Sequence, residues 1–334
     1  MKDYAAYWFR ARRKLGIDDG MHYGVLEPGR DLIHSWRMPH EQRDGVGACL
    51  YLLRQSGVAS WSTQTARQRS VPGFLQSWRR HRRSEPAPAP VWRKGAPAVP
   101  VEELPITIHA FDKHQTAALQ ASAKQRKTSL NVLVFAAVHR MVTEQLLASG
   151  GGAWFVPVTL RGSLVLPSDE MNHASGFYLP LTADADYRDI QRGLINAMRT
   201  GEHWWLWHQA RLVAIGGQWL VNLVFRMLNG RSHYLGSFSN IGEWQVDWRG
   251  SRFADDALFW GCSPGSPTHP LGACMVICNG RLVLSFKCHP MLGVTAAKRQ
   301  QCMDRWCALL QAGTAQQDVP NVVKTQQSGV AGHG

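Results

Sequence analysis

The sequence lacks the cysteine and histidine spacing that metal and redox sites use. None of the seven cysteines among its 334 residues forms a C-x-x-C pair, and its histidines are scattered. No charged and apolar segments typical of a secretory signal precede these cysteines. We therefore predict reduced thiols, a cytoplasmic location and no bound metal.

Long hydrophobic runs are also missing. In the most apolar stretch, residues 204–228, the longest uncharged run covers only residues 212–225, whereas a spanning helix needs ~20 apolar residues. The pattern favours a buried or semi-buried helix pair. The alternative is an interfacial helix in peripheral membrane contact, which four tryptophans support: Trp204, Trp205, Trp207 and Trp219.

Acidic residues are fewer than basic ones, 24 against 37, which gives a net charge of +13. Such a charge suits nucleic acid, anionic lipid or an acidic ligand such as coenzyme A or a phosphopantetheine-bearing carrier protein. The basic run at residues 79–83 precedes a Pro/Ala tract and is interpreted as a solvated linker or, alternatively, as a contact for an acidic partner. Because no recognition-helix, RNP or zinc-finger pattern is present, we do not expect nucleic-acid binding.

Apolar periodicity and capping residues predict mixed α and β structure. Helices are expected at residues 4–15, 46–53, 113–124, 132–147 and 295–310, and strands at 31–40, 104–109, 154–160, 273–278 and 281–288. Thr128 or Ser129 is the expected cap of the helix at 132–147, and Asn279-Gly280 predicts a tight hairpin. We divide the chain into an N-terminal subdomain (1–78), a basic and Pro/Ala-rich linker (79–104), a C-terminal subdomain (105–312) and a disordered tail (313–334).

The segment at residues 40–45 reads H-x-x-x-D-G and carries the candidate chemistry. His40 ends a predicted strand, so a rigid element presents its imidazole, which takes a proton from a hydroxyl or amine when neutral. Asp44 is better placed to hold the turn than to react, and Gly45 lets the backbone approach a ligand. A second pattern, G-x-S-x-G at residues 261–265, is not a nucleophile elbow, because Pro264 has no N–H for an oxyanion.

Several segments in order resemble the superfamily of chloramphenicol acetyltransferase, peptide-synthetase condensation domains, plant BAHD acyltransferases and wax ester synthase/diacylglycerol acyltransferases. Residues 129–138 resemble its T-x-N-D-x-x-L-A-A helix start and residues 155–161 its V-P-V-x-x-R strand. Residues 173–181 and 238–242 are similar to its G-x-x-x-x-x-L-P segment and its S-N-x-x-G strand. The resemblance covers residues 31–45 and 104–310.

This resemblance implies an α+β fold of two similar two-layer sandwich subdomains with a channel between them. It implies that His40 is the general base, that Asp44 pairs with Arg161, that Gly45 keeps the channel open, and that Ser239 and Asn240 line the channel or bind the oxyanion. The donor would be acyl-CoA or an acyl carrier protein thioester and the acceptor a small alcohol or amine, with no permanently bound cofactor and no metal.

The chain departs from that family in its N-terminal half. The motif begins at residue 40, whereas family members carry it more than a hundred residues into the chain, so we expect a truncated first subdomain or a partner subunit that completes it. Pro39 also replaces the first of two histidines. The principal hypothesis is an acyltransferase without a covalent acyl-enzyme, and the alternative is a non-catalytic module that binds an acyl carrier or acyl-CoA.

Overall fold

The computed structural model describes residues 4–63, 70–81, 89–96, 102, 104–228 and 233–315. In these ranges the helices are α1 (Tyr4–Lys14), α2 (Gly45–Gln55), α3 (Phe74–Arg80), α4 (Lys113–Gln125), α5 (Leu130–Gln145), α6 (Tyr187–Thr200), α7 (Glu202–Ile215), α8 (Gly217–Leu228) and α9 (Ala296–Ala315). The strands are β1 (Gly20–Glu27), β2 (Leu32–Pro39), β3 (Ser60–Thr63), β4 (Val91–Trp92), β5 (Ile106–Ala110), β6 (Leu147–Ser149), β7 (Gly152–Thr159), β8 (Ala174–Leu181), β9 (Gly236–Asp247), β10 (Leu258–Cys262), β11 (Leu271–Cys278) and β12 (Arg281–Cys288).

The largest sheet has the strand order β5-β12-β11-β9-β7-β8, with β3 on the far end of β9. Its predicted hairpin is confirmed: β11 and β12 pair antiparallel, and both Asn279 and Gly280 have positive φ, 51° and 75°. Strand β9 is parallel to its neighbours β11 and β7. This central strand later supplies one wall of the candidate site.

The smaller sheet joins the two ends of the chain. Strand β1 pairs with β2 over its whole length, from Gly20 opposite Pro39 to Glu27 opposite Leu32, and its other edge pairs with β10. The N-terminal hairpin is therefore completed by a strand from the C-terminal half. This sheet fixes the position of the motif, because β2 ends immediately before His40.

Two apolar cores lie on opposite faces of the large sheet. Residues of β11 alternate between them: Ala273 and Met275 belong to the core under α5 and α9, whereas Cys274 and Val276 belong to the core under α2 and the small sheet. Such alternation follows from the two-residue period of a strand. A third, smaller cluster joins α1, α7 and α8.

The predicted helix pair at residues 204–228 is present as α7 and α8. No helix in the described ranges is both long enough and apolar enough to cross a bilayer. The predicted linker is described only in parts, where β4 pairs with β6. The predicted tail lies outside the described residues apart from the end of α9, and the division into subdomains remains a prediction.

Candidate active site

His40 is held where strand β2 ends and the turn into α2 begins. Its backbone N–H donates to the carbonyl oxygen of Asp19 at 3.1 Å, and its ring stacks on Phe9 with 4.5 Å between ring centroids. Backbone and ring are thus fixed independently, from two different segments. Burial lowers the pKa of His40, so the imidazole is neutral at pH 7.

The hydrogen bonds of His40 select one tautomer. Nδ1 lies 3.1 Å from the Arg43 carbonyl oxygen and 3.2 Å from Nδ2 of Asn172. A carbonyl oxygen only accepts, so the first contact requires a proton on Nδ1. Nδ2 of Asn172 has its own acceptor, the His40 carbonyl oxygen at 2.9 Å. All these groups are satisfied when Nδ1 is protonated and Nε2 carries the lone pair.

Asn172 is a site residue that the sequence did not reveal. Its Oδ1 accepts the backbone N–H of Ala174 at 3.0 Å, which fixes the side-chain amide with Nδ2 toward His40. Among the described residues, no group forms a hydrogen bond with Nε2 of His40. The lone pair on Nε2 is therefore available to a substrate. Asn172 directly precedes residues 173–181, which carry part of the family resemblance. This position was the signal in the sequence that could have pointed to Asn172.

Asp44 holds the turn, as its position in the sequence suggested. Its Oδ1 accepts the backbone N–H of Gly47 at 2.8 Å and caps α2, while Oδ2 accepts the backbone N–H of His173 at 2.8 Å. The ion pair that the resemblance implies is present: Nη1 of Arg161 lies 2.7 Å from Oδ2 of Asp44. Asp44 is buried and Arg161 is largely covered, and all the contacts of this carboxylate are with the protein itself.

Arg161 also binds the loop that precedes β8. Its Nη2 donates to the carbonyl oxygens of Asp169 and Met171, at 2.6 and 3.0 Å. That loop leads directly to Asn172, the partner of His40. One guanidinium therefore links the helix α2, through Asp44, to the residue that binds the His40 carbonyl oxygen and lies beside its imidazole.

The six predicted site residues meet at one cavity of about 500 Å³. They are His40, Asp44, Gly45, Arg161, Ser239 and Asn240. Tyr23 of β1 and Ser263, which directly follows β10, also line the wall. The cavity thus draws on both ends of the chain, as expected for a site between two layers of structure.

Ser239 and Asn240 reach this cavity at an irregularity in β9. The register between β9 and β11 shifts just after Asn240, and Gly242 has φ of +100°, a conformation that favours glycine. Oδ1 of Asn240 accepts the N–H of Gly242 at 2.9 Å, which leaves its Nδ2 as a donor. The irregularity in β9 places two polar side chains at the wall of the cavity.

A second cavity of about 220 Å³ lies on another side of His40. His40, Pro157 and Ala174 line both cavities, and Asn172 lines the second. Its remaining wall is mainly aromatic and aliphatic and includes Trp8 of α1 and Trp207 of α7. His40 is therefore part of the partition between a larger, more polar space and a smaller, apolar one.

Two glycines allow close packing around the motif. A Cβ on Gly45 would lie 2.9 Å from the hydroxyl of Tyr23, a buried residue of the cavity wall, and a Cβ on Gly47 would collide with the carbonyl group of Glu170. The absence of a side chain at Gly45 therefore allows α2 to pack closely against Tyr23. Gly47 was not singled out in the sequence. This close approach brings α2 within reach of the Arg161 loop.

Other reactive groups near the cavity do not form a nucleophilic site. Burial raises the pKa of Cys274 well above its ordinary value, so it stays a thiol. Ser263, from the G-x-S-x-G pattern, accepts a hydrogen bond from the Ser237 hydroxyl at 2.6 Å. In the described part of the chain, no three histidine, cysteine or acidic side chains cluster in a way that would hold a metal ion.

No protein-family model matches the chain, and no curated protein matches its sequence. Among solved structures, the nonribosomal peptide synthetase FmoA3 is 12% identical with a TM-score of 0.51, over 85% of this chain and 31% of the synthetase. Polyketide synthase associated protein 5 from Mycobacterium tuberculosis is 17% identical with a TM-score of 0.49, over 84% of this chain and 73% of that one. The wax ester synthase/diacylglycerol acyltransferase from Marinobacter aquaeolei VT8 is 12% identical with a TM-score of 0.43, over 63% and 49%.

These similarities concern the fold. The chain has the α+β, chloramphenicol acetyltransferase-like fold expected from its sequence. It spans less than a third of the synthetase chain that it matches.

Proposed function

We propose that this protein transfers an acyl group from a coenzyme A or carrier-protein thioester to a hydroxyl or amine, with His40 as general base. The observation that carries the proposal is the position of His40 in the partition between two cavities, with the lone pair of Nε2 unused by the protein. A base in that position reaches two substrates that enter from different sides.

The proposed reaction needs no covalent acyl-enzyme. Nε2 takes the proton of the acceptor hydroxyl or amine as its oxygen or nitrogen attacks the thioester carbonyl carbon. When the tetrahedral intermediate collapses, the C–S bond breaks and the imidazolium returns the proton to the thiolate. The products are an ester or amide and a free thiol, and the enzyme is unchanged.

Two features of the site support this chemistry. The lowered pKa of His40 keeps the base unprotonated at neutral pH, and Nδ1–H bound to the Arg43 carbonyl keeps the basic lone pair on Nε2. The developing oxyanion requires donors, which the Ser239 hydroxyl and Nδ2 of Asn240 would supply from the irregularity in β9.

The donor is proposed to be acyl-CoA or a phosphopantetheine-linked acyl group on a carrier protein. Both bear phosphates, and a protein with a net charge of +13 attracts them. The acceptor is proposed to be a small alcohol or amine. No permanently bound cofactor enters the reaction.

Release of free coenzyme A, followed with a thiol reagent and a panel of acyl-CoA donors and alcohol or amine acceptors, tests the proposal. We expect His40→Ala to reduce kcat by at least ~100-fold, which is the usual contribution of a general base. His34→Ala is the matched control, because His34 lies in the same strand and its Nε2 contacts Glu27 at 2.7 Å instead of the cavity. We expect this control to keep full activity.

Undiminished transfer by folded His40→Ala would contradict the mechanism. Saturable acyl-CoA binding without turnover, measured by calorimetry on the wild-type protein across the whole panel, would instead favour the non-catalytic binding module.

A further inference from the structure

Helix α8 exposes several large apolar residues on the side that faces solvent. Trp219 is 73% exposed, and Leu223 and Met227 are exposed as well. These positions are three to four residues apart and share one face of the helix. A contiguous exposed stripe of this kind is unusual on a water-facing helix and marks an interaction surface.

The inner side of α8 is partly polar. Nε2 of Gln218 donates to the carbonyl oxygen of Tyr7 at 2.8 Å and to Oδ1 of Asn222 at 3.0 Å. Val221 is fully buried between these two polar residues. An ordinary surface helix would place the glutamine and asparagine outside and the tryptophan inside. Since Val221 and Phe225 already fill the inner side, the exposed tryptophan, leucine and methionine indicate a second apolar partner on the outer side.

The neighbouring helix α7 also exposes apolar side chains. Helix α3 covers one face of α7 at Trp205 and His208, through its residue Phe74. One and two turns further, Leu212 and Ile215 are exposed, Ile215 at 67%, and no described residue covers them. We call the surface formed by Leu212, Ile215, Trp219, Leu223 and Met227 the outer face of α7 and α8.

The helices that form and adjoin this outer face carry mostly positive charge. Helices α3, α7 and α8 together contain four arginines, Arg79, Arg80, Arg211 and Arg226, and a single acidic residue. That acidic residue, Glu202, already contacts Nδ1 of His81. Aromatic and aliphatic side chains beside arginines, with almost no carboxylates, are the composition of helices that lie in the interface of an anionic bilayer.

We propose that the outer face of α7 and α8 binds the surface of a membrane that contains anionic lipids. Pairing of two identical copies through this face is disfavoured, because a two-fold contact brings Arg226 and its equivalents to the same interface. An acidic carrier protein would match the arginines but leave most of the apolar stripe without a partner. A lipid surface matches both.

Membrane binding would also place the second cavity near lipid. Its wall includes Trp8 of α1 and Leu206 and Trp207 of α7, and α1 packs on both α7 and α8. If the proposed acyl transfer is correct, an apolar chain from the bilayer would have a short path toward His40. This consequence depends on the proposed function, whereas membrane binding itself does not.

Co-sedimentation of the full chain with phospholipid vesicles tests the proposal. We expect binding to vesicles of phosphatidylcholine mixed with phosphatidylglycerol, and much weaker binding to phosphatidylcholine alone. Trp219→Ser combined with Leu223→Ser should weaken binding about tenfold or more, because two exposed apolar side chains lose their burial. Arg226→Gln should weaken it about fivefold and reduce its dependence on phosphatidylglycerol.

The matched control is Leu32→Ser combined with Ile33→Ser, which removes two exposed apolar side chains from β2. We expect this variant to bind as the wild type does. Equal binding by the Trp219/Leu223 variant would overturn the proposal, as would wild-type protein that stays in the supernatant with both vesicle types.

Two further results would assign the face to another partner and also overturn the proposal. The first is a wild-type dimer in light scattering that the Trp219/Leu223 variant loses, without vesicle binding by either. The second is capture by an acidic carrier protein without vesicle binding. Because these variants lie outside both cavities, transfer to a water-soluble acceptor should be unchanged, so failure here is distinct from failure of the proposed function.

Discussion

The backbone of His40 is held by a residue that is 132 positions away in the chain. Asn172 holds the His40 carbonyl oxygen and lies 3.2 Å from Nδ1. It does not reach the cavity-side nitrogen Nε2, so it acts through the imidazole and is a positioning residue. Its effect should therefore appear in the protonation of His40 and not only in the stability of the fold.

Replacement of Asn172 by aspartate tests this role. A carboxylate oxygen about 3 Å from Nδ1 stabilises the imidazolium and should raise the pKa of His40 by about one unit or more. Since imidazolium is not a base, the acid limb of the profile of kcat/KM against pH should move to higher pH by the same amount. The measurement is that profile between pH 5 and 8, a range that spans the ordinary histidine pKa of about 6.5.

Asn196→Asp is the control for this substitution, because Asn196 lies on the exposed side of α6 and its Oδ1 accepts from Arg199. We expect the control profile to match that of the wild type. An acid limb that stays in place in Asn172→Asp, with normal folding, would show that Asn172 is only structural.

Sequence reasoning located part of this site. His40 and Asp44 were found because they share a short motif. Arg161 was found because it ends the segment at residues 155–161, which resembles a strand motif of the family. Asn172 was not found, since a single asparagine in a loop carries no spacing signal. Phe9, which stacks on His40, was placed in the predicted N-terminal helix but without a role, because contacts between distant segments leave no periodicity in the sequence.

Helix α2 is the element that ties the motif to the rest of the site. Asp44 caps it and pairs with Arg161, whose side chain is only 12% exposed. In Asp44→Asn the amide oxygen still accepts from Gly47, but the buried guanidinium loses its counter-charge. We expect the free energy of unfolding to fall by about 3 kcal/mol, measured by urea denaturation.

The exposed pair of Asp247 and Arg249 provides the control for that measurement. The Arg249 side chain is 80% exposed, so Asp247→Asn should leave the free energy of unfolding close to that of the wild type. In addition, the double variant Asp44→Asn with Arg161→Met should recover part of the loss, because no uncompensated charge remains. Equal losses of unfolding free energy in Asp44→Asn and Asp247→Asn would show that burial does not increase the contribution of the Asp44–Arg161 pair to stability.

Among the secondary-structure elements, those bounded by a capping residue or by a turn dipeptide were predicted best. Ser129 caps α5 as expected, with its hydroxyl accepting from Val132, and the Asn279-Gly280 turn joins the expected strands. Strand β1 was missed because it is buried on both faces and so shows no alternation. Helix α6 was also missed, although Asp186 and Asp189 form a capping box at its start.

At the scale of the whole molecule, the fold class followed from the order of several family-like segments. The closure of the small sheet did not, because β10 pairs with β1 from the opposite end of the chain. Short patterns determine local structure, whereas strand pairing over such a distance depends on which buried edges remain unpaired. Likewise, the sequence showed the outer face of α7 and α8 only as part of an apolar stretch. It did not show which of these side chains are exposed.

The histidines of this fold make its stability depend on pH. Burial, with the charge of Lys287, lowers the pKa of His22 to about 4, and burial lowers that of His269 to about 3. In the unfolded chain both have a pKa of about 6.5. Below that pH the unfolded state binds protons that the folded state does not, so unfolding becomes more favourable as pH falls from 6.5 toward 4.

Each of these histidines can contribute up to about 1.4 kcal/mol per pH unit in that range, and none above it. We therefore expect the free energy of unfolding in urea to be nearly constant from pH 8 to 7 and to fall steadily between pH 6 and 4. His269→Gln should reduce the slope by about one proton, since glutamine does not titrate. A wild-type stability that is level down to pH 4.5 would mean that these imidazoles are protonated inside the fold.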